Sequence, residues 1–281
     1  MKQAESGKRK GGRGKTTAVP SPVSRLPSPA FRVVIPARLG STRLPRKVLR
    51  DIAGKPLVQH VWESVRSSGA LKTVIASDDD AVFQVCKKFG ADVVMTSPTH
   101  QSGSDRVNEV AKARDWPGDS IVVNVQGDEP LMPDALVRQA AELLAQDREA
   151  DLATLCHPIH SREEWLNPNV VKVVMDAKQR ALYFSRAPIP WKREGTNIGA
   201  VLPKGLAYRH IGLYAWRVAA LARFSAMAPE PLETCEALEQ LRALAQGLHI
   251  KLGITDGALP RGVDTEEDLK VVAEIFSQRG R

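Results

Sequence analysis

The chain has 281 residues, 43% of them hydrophobic and 26% charged, which is enough apolar content to bury a full core in a soluble globular protein. No stretch approaches the roughly 18–20 consecutive apolar residues that a membrane-spanning helix requires, so a transmembrane role is excluded. The formal charge of +8 hints at nucleic acid until it is divided: residues 1–30 carry +6 and the rest only +2, so the body has no basic stripe.

Residues 1–30 are rich in Gly, Ser, Pro and Lys and lack the apolar centre of a secretory signal, which predicts a disordered basic extension. An organellar transit peptide is the minority reading, opposed by Pro20, Pro22, Pro27 and Pro29. From Phe31 the chain becomes an apolar run ending at Pro36-Ala37, suited to a strand buried on both faces. Arg38, Gly40, Ser41, Thr42, Arg43 and Lys47 then place cations, hydroxyls and a permissive glycine in the loop leaving its carboxyl end. In open α/β sheets ligands bind there, and such a loop suits a polyphosphate. A solvated basic surface loop is the competing reading.

A helix is predicted over Lys55–Ser68, a strand over Lys72–Ser77, a helix over Ala81–Phe89 behind Asp78-Asp79-Asp80, and a strand over Asp92–Thr96. A polar loop leads into a helix through Trp116, followed by strand Ser120–Val125, helix Pro133–Gln146 and strand Leu152–Cys156. This alternation predicts an α/β fold: a Rossmann-like, mainly parallel sheet with helices on both faces. Near residue 165 the rhythm changes. Val170–Met175 and Ala181–Phe184 flank a turn as in an antiparallel hairpin, and His210–Trp216 reads as another strand. Residues 160–217 are therefore expected to form an insertion that roofs the site or builds a dimer interface. Helices Val218–Met227 and Leu232–Gln246, strand Lys251–Thr255 and a helix from Thr265 complete the chain. Cys86, Cys156 and Cys235 lack the close spacing of a zinc site and read as reduced thiols of a cytosolic protein.

Four further constellations carry chemistry. Asp128-Glu129 follows the Ser120–Val125 strand, where an acidic pair is poorly placed for stability and well placed for Mg2+. Gly262–Asp268 is acidic too, but Asp264 or Thr265 as a helix N-cap explains most of that run. Ser102-Gly103-Ser104-Asp105-Arg106 at a helix start offers backbone N–H groups to a base or phosphate. Arg186, His210 and Tyr214 supply a fork for a carboxylate and donors for hydroxyls. Each of the last three signals is weak alone.

Taken in order, IPARLGSTRLPRK, VNVQGDEP, HQSGSDR, NPNVVKVV, ALYFSRAPIPW, RHIGLYAW, PLETCEALEQLR and GVDTEEDL resemble the 3-deoxy-manno-octulosonate (Kdo) cytidylyltransferase family, from about Phe31 to the C-terminus. The resemblance implies a single catalytic domain over 31–281 and a cytoplasmic homodimer that couples CTP to Kdo with Mg2+ and releases pyrophosphate. It implies that Arg38, Ser41, Arg43 and Lys47 hold the triphosphate, with Ser77, Asp78, Ser102, Gly103 and Arg106 around the cytidine. It assigns Mg2+ to Asp128 and Asp264 and the catalytic work to these acids with Lys47. It gives the sugar acid to Gln126, Arg186, His210, Tyr214, Glu239 and Gln240. The chain departs from the family at Arg46 and Val48, where LPGKP is common, at Thr99, where Asp is usual, and at Asp105, where Glu is usual. Competing readings are a cytidylyltransferase for 8-amino-Kdo or sialic acid, a non-catalytic sugar-nucleotide-binding protein, and a nucleic-acid-binding protein using the tail. No nucleic-acid partner is expected.

Overall fold

Phe31–Pro36 (β1) is apolar on both sides, and in the computed structural model Phe31, Val33 and Ile35 enter one core while Val34 enters another. A strand with two buried faces requires cover on both, which is the condition for the centre of a doubly wound sheet. The structure describes residues 29–41, 43–191, 205–257, 259 and 261–279; residues 1–28 of the basic tail, and Thr42 in the cationic loop, lie outside the described residues.

Asp51–Ile52 (β2) and Lys55–Pro56 (β3) form a tight hairpin in which Ala53 and Gly54 both have positive φ, 50° and 84°. This hairpin takes the first two residues of the helix expected from Lys55. Only Leu57–Val65 (α1) is α-helical, with a 3-10 turn at Arg66–Ser68. Lys72–Ser77 (β4), Asp80–Lys88 (α2), Asp92–Met95 (β5), Gly103–Ala113 (α3), Ile121–Asn124 (β6) and Asp134–Gln146 (α4) follow in the alternation read from the sequence. Asp79 caps α2, accepting from the N–H groups of Ala81 and Val82. The chain continues through Leu152–Pro158 (β7), a short helix Arg162–Leu166 (α5), the hairpin Lys172–Met175 (β8) and Ala181–Ser185 (β9), and Tyr208–Arg217 (β10). Val218–Ser225 (α6), Pro231–Glu236 (α7), Gln240–Ala245 (α8), Ile250–Ile254 (β11) and Glu266–Arg279 (α9) complete it.

The main path of the sheet runs β11-β7-β10-β6-β1-β4-β5, with the β8–β9 hairpin attached to the start of β10. Pairings β1–β4, β1–β6, β4–β5 and β7–β11 are parallel, whereas β10 is antiparallel to both β6 and β7. The region expected as one insertion over 160–217 therefore divides: α5 and the hairpin lie off the main path, but β10 is a central strand. Val107, Leu221 and Leu241, from α3, α6 and α8, fill one face of the sheet. Val61, Val82, Leu144 and Val272, from α1, α2, α4 and α9, fill the other. Among the described residues no helix is long and apolar enough to cross a membrane.

The helix expected over Leu232–Gln246 breaks at Ala237, which adopts φ 51° and ψ 51°. Three residues apart on one continuous helix, Glu236 and Glu239 would share a face. After the break Glu236 reaches β9 and Glu239 reaches α3: it accepts from the hydroxyls of Ser185 at 2.6 Å and Ser104 at 2.8 Å, respectively.

Candidate active site

The loops leaving β1 and β6 meet at the carboxyl edge of the sheet. A Cβ on Gly127 would stand 2.4 Å from the Pro36 carbonyl oxygen, so only glycine lets the Gln126–Asp128 turn close on β1. Over this junction lies a cleft of about 250 Å³, lined among others by Arg38, Ser41, Arg43, Lys47, His100, Ser102, Gly103, Arg106, Gln126, Asp128 and Asp264.

Lys47 is the centre of the cleft. Arg46 takes the left-handed conformation, φ 55°, and starts a 3-10 turn over Lys47–Leu49 that buries Val48. The Lys47 ammonium donates to Asp128 Oδ2 at 2.6 Å and to Asp264 Oδ1 at 2.9 Å, with only 12% of its side chain exposed. Burial works against its charge, but Asp128 and Asp264 outweigh that effect and raise its pKa above the usual lysine value. Arg43 reaches the same Asp264 oxygen at 3.1 Å. Two acids far apart in sequence thus share one point because the Val263 N–H donates to the Asp128 carbonyl at 2.8 Å, stitching the segment before α9 to the end of β6.

The choice of N-cap at α9 is settled by geometry. Thr265 Oγ1 accepts from the Asp268 N–H at 3.2 Å, and Asp268 Oδ2 accepts from the N–H groups of Asp264 and Thr265. Asp264 is therefore free of capping and turned to the cleft. The Asp128-Glu129 pair, by contrast, splits. Glu129 Oε2 is buried without a partner, and burial reinforced by the Asp128 charge pushes its carboxyl up to about 8. That shift favours the neutral form of Glu129, whereas the Asp128 carboxylate is engaged by the Lys47 ammonium. The carboxylates of Asp128 and Asp264 already converge on one cation, the Lys47 ammonium. Their hard oxygens fit a divalent ion whose remaining ligands come from phosphate and water. Among the described residues no cluster of three or more His, Cys, Asp or Glu forms a cage made wholly of protein.

On the α3 side, Ser102 caps the helix: its Oγ accepts from the Asp105 N–H at 3.1 Å and donates to Asp105 Oδ2 at 2.9 Å. Arg106 is buried beneath it and donates to Asp78 Oδ2 and Thr96 Oγ1, each at 2.8 Å. Ser77 and Asp78 stand behind the cleft wall: Ser77 Oγ donates to the Ala37 carbonyl at 2.8 Å, and Asp78 orients Arg106. His100 pairs with Glu109 and lines the wall, a contribution that sequence reading did not single out although the residue stands in HQSGSDR.

Of the residues assigned to the sugar acid, only Gln126 lines this cleft. His210 and Tyr214 lie on β10, and Glu239 and Gln240 follow the α7–α8 break. β10 carries an irregularity between Ile211 and Tyr214 at which Thr154 Oγ1 donates to the Leu213 carbonyl at 2.7 Å and lies 3.0 Å from His210 Nε2. Such a bulge re-aims side chains on either side of it. The rings of His210 and Tyr214 pack at a tilt of 47° with centroids 5.3 Å apart. Desolvation lowers His210 to about 3, raises Tyr214 well above the phenol value, and raises Glu239, whose carboxylate is partly compensated by Ser104. Gln240 is buried beside them. Arg186 stands apart, at the end of β9: its Nε donates to the Glu236 carbonyl at 2.7 Å and its NH1 to the Pro168 carbonyl at 3.1 Å. It is held there by Lys172, a fully buried lysine that donates to the carbonyls of Asn167 at 2.9 Å, Val170 at 2.6 Å and Arg186 at 2.5 Å. A lysine inside the apolar run NPNVVKVV reads as an exposed strand position, which hid this role.

Asn124, the last residue of β6, was also missed. It is fully buried, and both its Oδ1 and Nδ2 lack a hydrogen-bond partner. Each such atom costs about 1–3 kcal/mol.

A family model described as "Cytidylyltransferase" matches residues 32–250. A 3-deoxy-manno-octulosonate cytidylyltransferase of Marinobacter nauticus is 50% identical over 257 residues, 89% of this chain and 98% of the relative. One of Cellvibrio japonicus is 52% identical over 250 residues, covering 88% of this chain and 98% of the relative. The solved structure of a CMP:2-keto-3-deoxy-manno-octonic acid synthetase complexed with CTP superposes with a TM-score of 0.79 at 38% identity, over 90% of this chain and all of that one. A cytidylyltransferase of Leptospira borgpetersenii, 15% identical with a TM-score of 0.55 over 90% of this chain and 95% of that one, shares the fold.

Proposed function

This chain belongs to the cytidylyltransferase family, and from that premise we propose that it transfers CMP from CTP to the anomeric hydroxyl of Kdo, giving CMP-Kdo and pyrophosphate for lipopolysaccharide synthesis. The observation that carries the reading is the Lys47 ammonium between Asp128 and Asp264 at the mouth of a cationic loop. Such a cluster serves phosphoryl chemistry: the sugar hydroxyl attacks the α-phosphorus in line with the leaving group, a new P–O bond forms, and the α–β bridging bond breaks. Little covalent work falls to the protein, so placing the reactants and neutralising charge dominate.

Arg38, Ser41, Arg43 and Lys47 hold the triphosphate, and Lys47 and Arg43 neutralise charge that grows on pyrophosphate as it leaves. Ser102, Gly103 and Arg106 border the cytidine, with Ser77 and Asp78 fixing the wall behind. Asp128 and Asp264 would hold Mg2+, which would supply charge neutralisation at the phosphates. Gln126, His210, Tyr214, Glu239 and Gln240 form the sugar-acid side, and Arg186 meets the carboxylate with the edge of its guanidinium not used by Glu236 and Pro168. The enzyme works as a homodimer in the cytoplasm. Exposed Leu166, Leu182, Trp191 and Leu206, with Trp165 stacked on Trp191, support an apolar interface in the 160–217 region. The free Cys86, Cys156 and Cys235 suit a reducing compartment.

The test is incubation with CTP, Kdo and Mg2+, following pyrophosphate and CMP-Kdo, with 8-amino-Kdo and sialic acid as competing acceptors. Kdo-dependent pyrophosphate release that stops with EDTA is expected. Release with another acid in preference to Kdo would overturn the assigned substrate. Sedimentation of the full chain reads the dimer.

A further inference from the structure

Period-two alternation puts Val122 and Asn124 on the face of β6 that lies under α3, and Gln126 follows two residues past the end of the strand. Tyr214 of β10 stands opposite Asn124 in the ladder. Gly103, the first residue of α3, sits above: a Cβ built there would lie 3.7 Å from Asn124 Nδ2 and 3.6 Å from Gln126 Oε1. A donor and an acceptor therefore border one small space beside Gly103, where a Cβ would make ordinary van der Waals contact with both. Neither atom of the Asn124 amide is paired, although Asn124 is buried completely. Gln126 is half-buried and lines the cleft.

We infer that Asn124 is a positioning residue for Gln126: when the acceptor substrate enters, the Asn124 amide N–H takes Gln126 Oε1 in the space beside Gly103. That contact fixes which end of the Gln126 amide faces outward. With its oxygen held, Gln126 presents its NH2 group to an oxygen of the substrate, a carboxylate or hydroxyl. An amide free to flip would present either end and discriminate less. The inference rests on the reading that Gln126 contacts the sugar acid.

The apolar variants Asn124→Leu and Asn124→Val remove the two unpaired atoms, so the melting temperature of at least one is expected to hold or rise by about 3 °C. The KM for Kdo is expected to rise tenfold or more while the KM for CTP stays within twofold. Asn124→Asp keeps the shape but cannot donate to Gln126 Oε1 when ionised, so it should lose as much as the leucine variant. Because Asn124 acts through Gln126, the double variant Asn124→Leu/Gln126→Ala should be no worse than Gln126→Ala alone. Losses that multiply in the double variant, an unchanged KM for Kdo in Asn124→Leu, or a lowered melting temperature in both apolar variants would each overturn the inference. If Gln126→Ala itself leaves the KM for Kdo unchanged, the assignment of Gln126 to the sugar acid is what fails.

Discussion

In the proposed nucleotide half of the site, Lys47 and Arg43 meet Asp128 and Asp264 in a cleft where Asp264 keeps 45% of its side chain exposed. In the proposed sugar half, desolvation shifts His210, Tyr214 and Glu239 toward their neutral forms. The contrast follows from what each substrate brings. A triphosphate would be met by full charges that are already paired with one another, so no isolated ion is buried before the nucleotide arrives. A sugar acid offers many hydroxyls, and neutral groups in a drier setting discriminate among those by geometry, because a wrong partner leaves a buried group unpaired.

The sharpest way to break this comparison is to remove charge from the nucleotide half. Asp128→Asn and Asp264→Asn should each lower turnover by about two orders of magnitude or more without unfolding the protein. The double variant should be little worse than the worse single one, since the acids act as one unit. With Thr265 serving as the cap, a near-normal rate for Asp264→Asn at saturating Mg2+ would leave Asp128 alone in the metal role. Next in size is Arg186, the one full charge assigned to the sugar half. Arg186→Ala should raise the KM for Kdo by about tenfold, and Arg186→Lys should also be impaired because an ammonium lacks the planar fork. CTP binding should be spared in both, and equal loss for the two substrates would place Arg186 outside the sugar site.

A pH series sharpens the sugar half. His210 has its pKa lowered by desolvation to about 3, below its unfolded value. It therefore adds stability that is present above about pH 6.5 and is lost as pH falls toward 3. Thermal unfolding between those limits should show less acid destabilisation for His210→Gln than for the parent, and identical slopes would refute the assignment. The smallest effect concerns Arg46. Replacing a non-glycine residue at φ 55° by glycine should relieve about 1 kcal/mol of backbone strain and raise the melting temperature, while weakening CTP binding modestly at low salt. Unchanged or tighter CTP binding would deny the guanidinium any attractive role.

The strands of the main sheet were legible because their apolar runs carry turn residues at both ends, as at Phe31–Pro36 and Ile121–Asn124, whereas the short β2–β3 hairpin was not. The central place of β10 was not legible, since strand order is decided by which edges remain unpaired and leaves no mark on the run itself. The break at Ala237 carries no glycine or proline; it follows from Glu236 and Glu239 having different partners in space. Asp128 was readable from its position after a buried strand. Asp264 stayed ambiguous until Thr265 was seen to take the cap. The burial of Glu129 and the roles of Asn124 and Lys172 escaped for a shared reason: a polar letter in a sequence does not say whether its side chain faces water, a cleft or a ring of carbonyls.

Lys172 also makes the β8–β9 hairpin its own reporter. Its amine is sealed from solvent and has all three donors committed to carbonyls, so it cannot act as a nucleophile while the hairpin is closed. An acylating reagent that marks surface lysines within seconds would reach Lys172 only in molecules whose hairpin has lifted. The rate of its labelling thus reports how much of the time the hairpin stands open, readable by mass spectrometry with no probe introduced.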